Sequence, residues 1–158
     1  IHENNEDLSI TFIVQMSKEK KKREFIFRIK EIMSRHISKL VRVKIVYGTD
    51  SRKDFMSLIN TVDIFLLPYK KKQYKYSGSG FIIDALLLEK PIIISEGIAM
   101  RELTNFKNSI TFKNALDFPE ATVKLIKTYQ NYSKNRQTAR KYLINKINNS
   151  FKYILEDI

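Results

Sequence analysis

Hydrophobic positions along the chain fall into short apolar runs that alternate with segments of helical periodicity. The runs are rich in β-branched residues and predict five strands. They lie at residues 8–15, 41–48, 63–69, 91–95 and 109–112. Elsewhere apolar residues recur every three or four positions, which predicts amphipathic helices. These lie at residues 20–39, 50–62, 81–90, 117–130 and 134–156, with a helical turn at 100–106.

The alternation of strands and helices predicts an α/β protein. Strands that are apolar throughout are typical of a parallel sheet with helices on both faces, so we expect a three-layer, doubly wound arrangement. Ser51 followed by Asp54 predicts the N-terminal cap of the helix at 50–62. Phe81, Ala85 and Leu88 are expected on the buried face of the helix at 81–90. We find no internal repeat or linker, so residues 1–158 are expected to form one domain.

Composition narrows the possible partners. The formal net charge of +12 attracts anions such as nucleotides, nucleic acid or an acidic membrane surface, although it also fits a solvated basic surface. The absence of cysteine excludes disulfides and thiolate metal sites, and two histidines are too few for a histidine-rich site, so no metal is expected. No apolar run approaches the roughly 20 residues of a membrane-spanning helix. The first residues lack a signal-peptide pattern and an initiator methionine, so we expect a piece of a longer protein.

The most distinctive stretch is the loop "SGSG", which holds two of the four glycines in the chain. It follows a predicted strand and leads into a predicted helix. Backbone N–H groups at such a helix start, together with the helix dipole, bind anions, and glycine lets a phosphate approach the backbone closely. The loop is therefore a candidate phosphate cradle, or else a helix cap with a tight turn. Its members are Ser77, Gly78, Ser79 and Gly80.

Further candidates lie on both sides of this loop. Asp84, one turn into the helix, can accept hydrogen bonds from the vicinal hydroxyls of a ribose, or it can simply interact with the helix dipole. A group of lysines before the loop can neutralise a diphosphate, contact an acidic membrane, or remain solvated. Tyr74 and Tyr76 can stack on a base or a sugar, or pack on the surface. The lysines are Lys70, Lys71, Lys72 and Lys75.

Five segments also follow one another in a characteristic order. They read "VRVKIVYG", "VDIFLLPY", "YSGSGFIIDALLLEKPIIIS", "EGIAMRELTNFKNSITF" and "DFPEATVKLI". They resemble the motifs of the C-terminal, donor-binding domain of the group 1, family 4-like retaining glycosyltransferases of GT-B architecture. In that family the central motif runs from a Gly-rich loop into "E-A-m-a-x-G-x-P-v-v-a-s". The similarity spans most of residues 8–130 and implies a Rossmann-like domain, one half of a GT-B architecture.

The resemblance implies roles for individual residues. Asp84 falls on the family's ribose-binding acid, and the amides of Gly78, Ser79 and Gly80 fall on its diphosphate-binding segment. Tyr76 falls on the acid that usually faces the transferred sugar, and it is not an acid, so the catalytic residues stay unassigned. Glu102 falls on the acid of the family's "G-x-x-E" segment, where we expect it to order a loop. Further donor or phosphate contacts are expected at Lys75, Tyr76 and Glu102.

The resemblance also implies an activity for the full-length protein. It would transfer a sugar from a nucleotide-diphosphate donor, with UDP- or GDP-sugars favoured, to a hydroxyl acceptor with retention of configuration and without a cofactor. The family's first strand, with its diphosphate-clamping Arg and Lys, and the acceptor-binding domain are not in this chain. We therefore expect the domain to be incomplete at its start and inactive alone. A cytoplasmic location is expected, with peripheral contact to an anionic membrane through residues 18–23 and 70–75.

Three alternatives come from other classes. The chain can be a non-catalytic, glycosyltransferase-like module that binds nucleotide, which Tyr76 favours. It can be a GT-B relative such as a sugar-nucleotide epimerase, although that class uses acids and histidines that this chain places poorly. Nucleic-acid binding is the least favoured, because most of the aromatic residues fall on apolar faces rather than among the lysines.

Overall fold

The computed structural model describes residues 10–16, 41–47, 51–133 and 135–156. They belong to two compact units, Ile1–Val62 and Asp63–Ile158. The helix predicted at 20–39 lies outside the described residues. Within the described ranges, every helix is too short or too polar to cross a bilayer.

The first unit contains a pair of parallel strands. β1 (Ile10–Met16) pairs with β2 (Val41–Tyr47) along its whole length. Helix α1 (Arg52–Asn60) follows, and Ser51 caps it by accepting a hydrogen bond from the Asp54 N–H at 3.1 Å. Both strands and the predicted cap are confirmed.

The second unit is built on a three-stranded parallel sheet. Its strands are β3 (Phe65–Leu67), β4 (Ile92–Ser95) and β5 (Ser109–Phe112), in the order β3-β4-β5. The α/β class and the parallel pairing are confirmed. The helices are α2 (Lys71–Tyr74), α3 (Gly80–Leu87), α4 (Phe118–Lys127), α5 (Tyr129–Ser133) and α6 (Arg136–Glu156). The helical turn predicted at 100–106 is present as a 3-10 turn, Arg101–Thr104.

Hydrophobic burial holds this sheet and its helices together. α4 packs on β4 and β5, where Ile93, Phe112 and Leu125 belong to one buried cluster. Ile92 and Ile94 point to the opposite face of β4 by strand alternation and are buried as well, so both faces of this central strand are covered. α3 packs against α6.

The structure corrects three predicted element boundaries. The loop at 70–80 contains the short helix α2, and the helix predicted at 117–130 is divided at Thr128 into α4 and α5. α3 ends at Leu87 because Glu89 takes a positive φ of 54° and Pro91 follows, which disfavours further helix.

The buried face of α3 also differs from the predicted one. Ala85 is buried as expected, but its buried apolar neighbours are Ile82 and Leu86. Phe81 and Leu88 are only half-buried. The difference is one of rotation about the helix axis, which the sequence cannot fix because α3 is apolar on most sides.

Candidate functional site

The loops that follow β3 and β4 meet at one edge of the second unit. Because neighbouring parallel strands point the same way, the segments after Leu67 and after Ser95 leave from the same side of the sheet. A hydrogen bond of 2.9 Å from the Ala99 N–H to the Tyr74 carbonyl joins the two loops. In open α/β sheets this carboxyl edge is where ligands bind.

The SGSG loop lies at this edge and leads into α3. Gly80 is the first residue of α3, and Ser79 precedes it in an extended conformation. The first N–H groups of a helix have no acceptor within the helix, and the dipole gives this end a partial positive charge. The predicted sequence of strand, loop and helix start is thus present in the structure.

The two glycines of the loop are not explained by the fold itself. Both have φ values outside the left-handed region, which only Gly97 enters among the described glycines. A Cβ added to Gly80 would meet nothing within 4 Å, and one on Gly78 would lie 3.4 Å from the sulfur of Met100, an ordinary contact. Neither backbone strain nor packing requires glycine at Gly78 and Gly80, and the surface beside Gly80 is open.

Ser79 is held between two residues that the sequence did not single out. Its Oγ lies 2.5 Å from the hydroxyl of Tyr69, and its N–H donates to the sulfur of Met100 at 3.1 Å. A thioether is a weak acceptor, so an oxyanion would be the stronger partner for this N–H. Of the three predicted cradle amides, the one at Ser79 is therefore occupied by a side chain that a phosphate would have to displace.

Tyr69 is itself fixed at this edge. Its ring stacks on Tyr74 with centroids 4.0 Å apart, and the ring of Tyr74 therefore has one face covered. Burial raises the pKa of the Tyr69 hydroxyl above 10.0; the hydrogen bond with Ser79 opposes this rise and the nearby Tyr74 adds to it. Tyr69 stays a neutral phenol at physiological pH and orients Ser79.

Asp84 lies on α3, four residues after Gly80, which is about 6 Å along the helix axis. It is buried, with 8% of its surface exposed. A carboxylate in such a place needs hydrogen-bond partners. The predicted ribose role of Asp84 stays a prediction.

The remaining candidates before the loop are exposed. Tyr76 is 85% exposed, and the ammonium of Lys75 lies 5.0 Å from its ring centre. Lys71 and Lys72 lie on α2. The described residues include no group of three or more Asp, Glu or His that could hold a metal ion.

Glu102 lies in the 3-10 turn and binds Lys146 of α6. The Lys146 ammonium donates to Oε1 of Glu102 at 2.6 Å, and both side chains are half exposed. This hydrogen bond lowers the pKa of Glu102 and raises that of Lys146. The contact ties the turn to α6.

An open pocket of about 430 Å³ lies beside this ion pair. Its wall is mostly apolar, and one lining residue, Met100, also contacts the SGSG loop. The lining residues are Met100, Glu102, Leu103, Leu143, Lys146, Ile147 and Ser150. A second groove of about 390 Å³ includes Ser109, the first residue of β5, and so lies at the opposite edge of the sheet.

Local sequence spacing therefore identified the loop and Asp84 but missed Tyr69 and Met100. Tyr69 directly follows Pro68 at the end of a strand, which is the only hint in the sequence. Met100 adopts a left-handed backbone with φ 64°, which nothing in the sequence indicates. No protein family, curated protein or solved structure matches this chain.

Proposed function

We propose that this chain is the donor-binding part of a sugar-transferring enzyme, the Rossmann-like half of a retaining GT-B glycosyltransferase. One observation carries the proposal. Gly78 and Gly80 sit at the carboxyl edge of a parallel sheet, before a helix, and neither packing nor backbone conformation requires them to be glycine. Bare backbone at such a place is accounted for by a ligand that approaches it closely.

The backbone at Glu89 also supports the resemblance. The family motif places a glycine five residues after its ribose-binding acid and two before its proline, and that position falls on Glu89. Glu89 has a φ of 54°, and the hydrogen bonds from Glu89 N–H to Leu86 and from Lys90 N–H to Ala85 form a Schellman cap. The local backbone is the one for which the motif glycine is suited.

The proposed mechanism is electrostatic. The amides of Gly78, Ser79 and Gly80 would hold the diphosphate of the donor, and Asp84 would accept hydrogen bonds from its ribose. As the sugar departs, negative charge grows on the diphosphate, and fixed N–H dipoles stabilise that charge without rearranging. The acceptor would be held by the other half of the GT-B enzyme.

A non-catalytic nucleotide-binding module is the second candidate. Tyr76 favours it, because the position that in the family faces the transferred sugar carries an 85% exposed phenol instead of a carboxylate. Both candidates have the same nucleotide site, so only a measurement of sugar transfer distinguishes them. An epimerase relative would share the site as well.

The first test is calorimetric titration of the chain with UDP, GDP and ADP. We expect one nucleotide to bind, and we expect Gly80→Ala to weaken that binding at least tenfold without lowering thermal stability. A Cβ at Gly80 blocks an approaching phosphate but meets no atom of the protein. Binding that survives Gly80→Ala unchanged, or no binding to any nucleotide, would count against the proposal.

Asp84→Asn tests the ribose contact with nearly unchanged volume. The loss of affinity should be large for the ribonucleotide and small for its 2′-deoxy analogue. Asp63→Asn, an exposed position in the same unit, serves as the charge-matched control. Equal losses for both nucleotides would remove Asp84 from the ribose site. Turnover is then measured on the protein joined to its acceptor half, where binding without sugar transfer would favour the non-catalytic module.

A further inference from the structure

A groove of about 390 Å³ lies at the amino edge of the second unit's sheet, where β5 begins, away from the SGSG loop. Each side chain that lines it can form hydrogen bonds, and none of them is a carboxylate. On the strand side the lining residues are Lys107 and Ser109. On the helical side they are Lys124, Thr128, Asn131, Tyr132 and Asn135. We call these residues the amino-edge groove.

The helical side of the groove is a polar stripe. Positions 124, 128, 131 and 135 recur at intervals of three or four, the spacing of one helical face, and continue past the turn at Thr128 between α4 and α5. Tyr132 is partly buried against the core cluster of Ile93 and Leu125 and so anchors this side to the sheet. Hydrogen-bonding groups that converge on a concave surface, rather than spread into solvent, are typical of a ligand site.

Two hydroxyl groups of the groove have already donated their protons to the backbone. Ser109 donates to the Thr104 carbonyl at 2.8 Å, and Thr128 donates to the Lys124 carbonyl at 2.7 Å. A hydroxyl has one proton and two lone pairs, so each of these oxygens can now only accept a further hydrogen bond. Such acceptors favour a ligand that carries hydroxyl groups over a bare anion.

Lys107 and Lys124 add positive charge to these acceptors. Within residues 51–133 and 135–156, no ion pair joins either lysine to a carboxylate. Lys107 also takes a left-handed φ of 55°, which is unfavourable for a lysine, and residues with such strain concentrate at functional sites. Two cations beside one groove suit a phosphate ester with two negative charges better than a neutral sugar.

We propose that the amino-edge groove binds a small hydroxylated phosphate ester, such as a glycerol phosphate or a sugar phosphate. Lys107 and Lys124 contact the phosphate, and the oxygens of Ser109 and Thr128 accept hydrogen bonds from the hydroxyls of the ligand. The volume of about 390 Å³ is within the range of small-molecule sites. The ester is either a free metabolite or the headgroup of an anionic lipid. This site is separate from the proposed nucleotide site at the carboxyl edge.

The test is calorimetric titration of the full chain at low salt with glycerol 3-phosphate and with inorganic phosphate. We expect glycerol 3-phosphate to bind several-fold more tightly, because only its hydroxyls can donate to the groove. Lys124→Met should lose about fivefold in affinity for it, as for a solvent-exposed ion pair. Lys127→Met removes the same charge from the same helix outside the groove, and should lose less than about twofold. Equal losses would overturn the proposal in favour of general attraction to a basic surface.

Thr128→Val tests the recognition of hydroxyls without a change in charge. It removes an acceptor and keeps the shape of the side chain, so we expect about a threefold loss of affinity for glycerol 3-phosphate and no loss for inorganic phosphate. Thermal unfolding of the variant checks that its fold is intact. Equal losses for the two ligands would remove Thr128 from the site.

Vesicles of phosphatidylcholine with phosphatidylglycerol distinguish the two sources of the ester. Binding of soluble glycerol 3-phosphate assigns a free ligand. Binding to the vesicles alone, weakened more by Lys124→Met than by Lys127→Met, assigns a lipid headgroup. Binding that Gly80→Ala abolishes lies at the SGSG loop and overturns the amino-edge assignment. A chain that binds neither probe also overturns it, and the nucleotide titration remains an independent test of the proposed function.

Discussion

β4 and the loops at its carboxyl end adjoin in sequence but are held in different ways. Ile92, Ile93 and Ile94 are at most 1% exposed, and the apolar surroundings on both faces of the strand hold them. Beyond Ser95 the loops are joined by single hydrogen bonds, such as those from the Ala99 N–H to the Tyr74 carbonyl and from the Ser79 N–H to the sulfur of Met100.

The two regions differ in how easily other side chains can replace a lost contact. In the core many side chains contribute similar dispersion and transfer energies, so the strand is specified by general hydrophobicity and volume. At the edge each contact involves one polar pair or one special φ, and no neighbour can replace it. The predictions below test this contrast by substituting one residue at a time in each region.

The largest effect is expected in the core, at Ile93. Ile93→Ala removes a fully buried side chain from the cluster with Leu125 and should lower the free energy of unfolding by about 3 kcal/mol. Urea unfolding followed by circular dichroism measures it. Ile110→Ala, a half-buried member of the same cluster, is the control and should lose clearly less. Equal losses would mean that burial does not set the contribution of each isoleucine.

Two glycine-to-alanine substitutions at the carboxyl edge should have effects of different sign on the free energy of unfolding. Gly97→Ala forces a Cβ into the left-handed region, so we expect a loss of about 1 kcal/mol in unfolding free energy, while the flexible end of the Lys71 side chain moves aside at little cost. Gly80→Ala places a Cβ in open space at the start of α3 and should be neutral or slightly stabilising. The measurement is thermal or urea unfolding of both variants.

A double variant separates the backbone cost of Gly97→Ala from any steric cost. In Gly97→Ala with Lys71→Ala the loss should be nearly that of Gly97→Ala alone, because the displaced end of Lys71 is flexible. If Gly97→Ala and Gly80→Ala behave alike, the special role given to the edge contacts is wrong.

The core elements could be predicted from the sequence because each depends on a local pattern. Apolar runs predicted β3, β4 and β5, and Ser51 with Asp54 predicted the cap of α1. The rotation of α3 could not be predicted, since its apolar residues surround the axis. Glu89 at a positive φ was equally hidden, because that conformation is chosen by the Schellman cap and Pro91 rather than by glutamate.

The candidate site was predictable only in part. The SGSG loop and Asp84 stand out by local spacing. The contacts between Tyr69 and Ser79, and between Ser79 and Met100, join residues 10 and 21 positions apart. They exist because the ends of parallel strands meet at one edge, which a single sequence does not show in atomic detail.

A smaller change in unfolding free energy is expected for a substitution of Tyr69. Tyr69→Phe removes the hydrogen bond to Ser79 and should reduce the unfolding free energy by about 1 kcal/mol at neutral pH. Tyr76→Phe, at an exposed ring, is the control and should change nothing measurable.

The pH dependence of this variant is a separate readout. The pKa of Tyr69 is raised in the folded state, so the folded protein holds this proton more tightly than the unfolded chain. Its contribution is complete below pH 10.0 and is lost as the pH rises through the folded pKa. The stability difference between wild type and Tyr69→Phe should therefore shrink above pH 10.0, and a constant difference would contradict the burial of this hydroxyl.

The smallest change in unfolding free energy is expected for substitutions of Glu89, at the end of α3. Glu89→Gly relieves a positive φ, worth about 1 kcal/mol, but it removes the 3.3 Å contact with Arg140, a partly exposed ion pair worth less than that. We expect a net gain of about 0.5 kcal/mol in unfolding free energy. Glu89→Ala keeps the strained backbone and loses the ion pair, so it should be the least stable of the three. If the glycine variant is no more stable than the alanine variant, the left-handed conformation of residue 89 carries no strain. The contrast between the core and the carboxyl edge then loses its clearest example of a strained backbone.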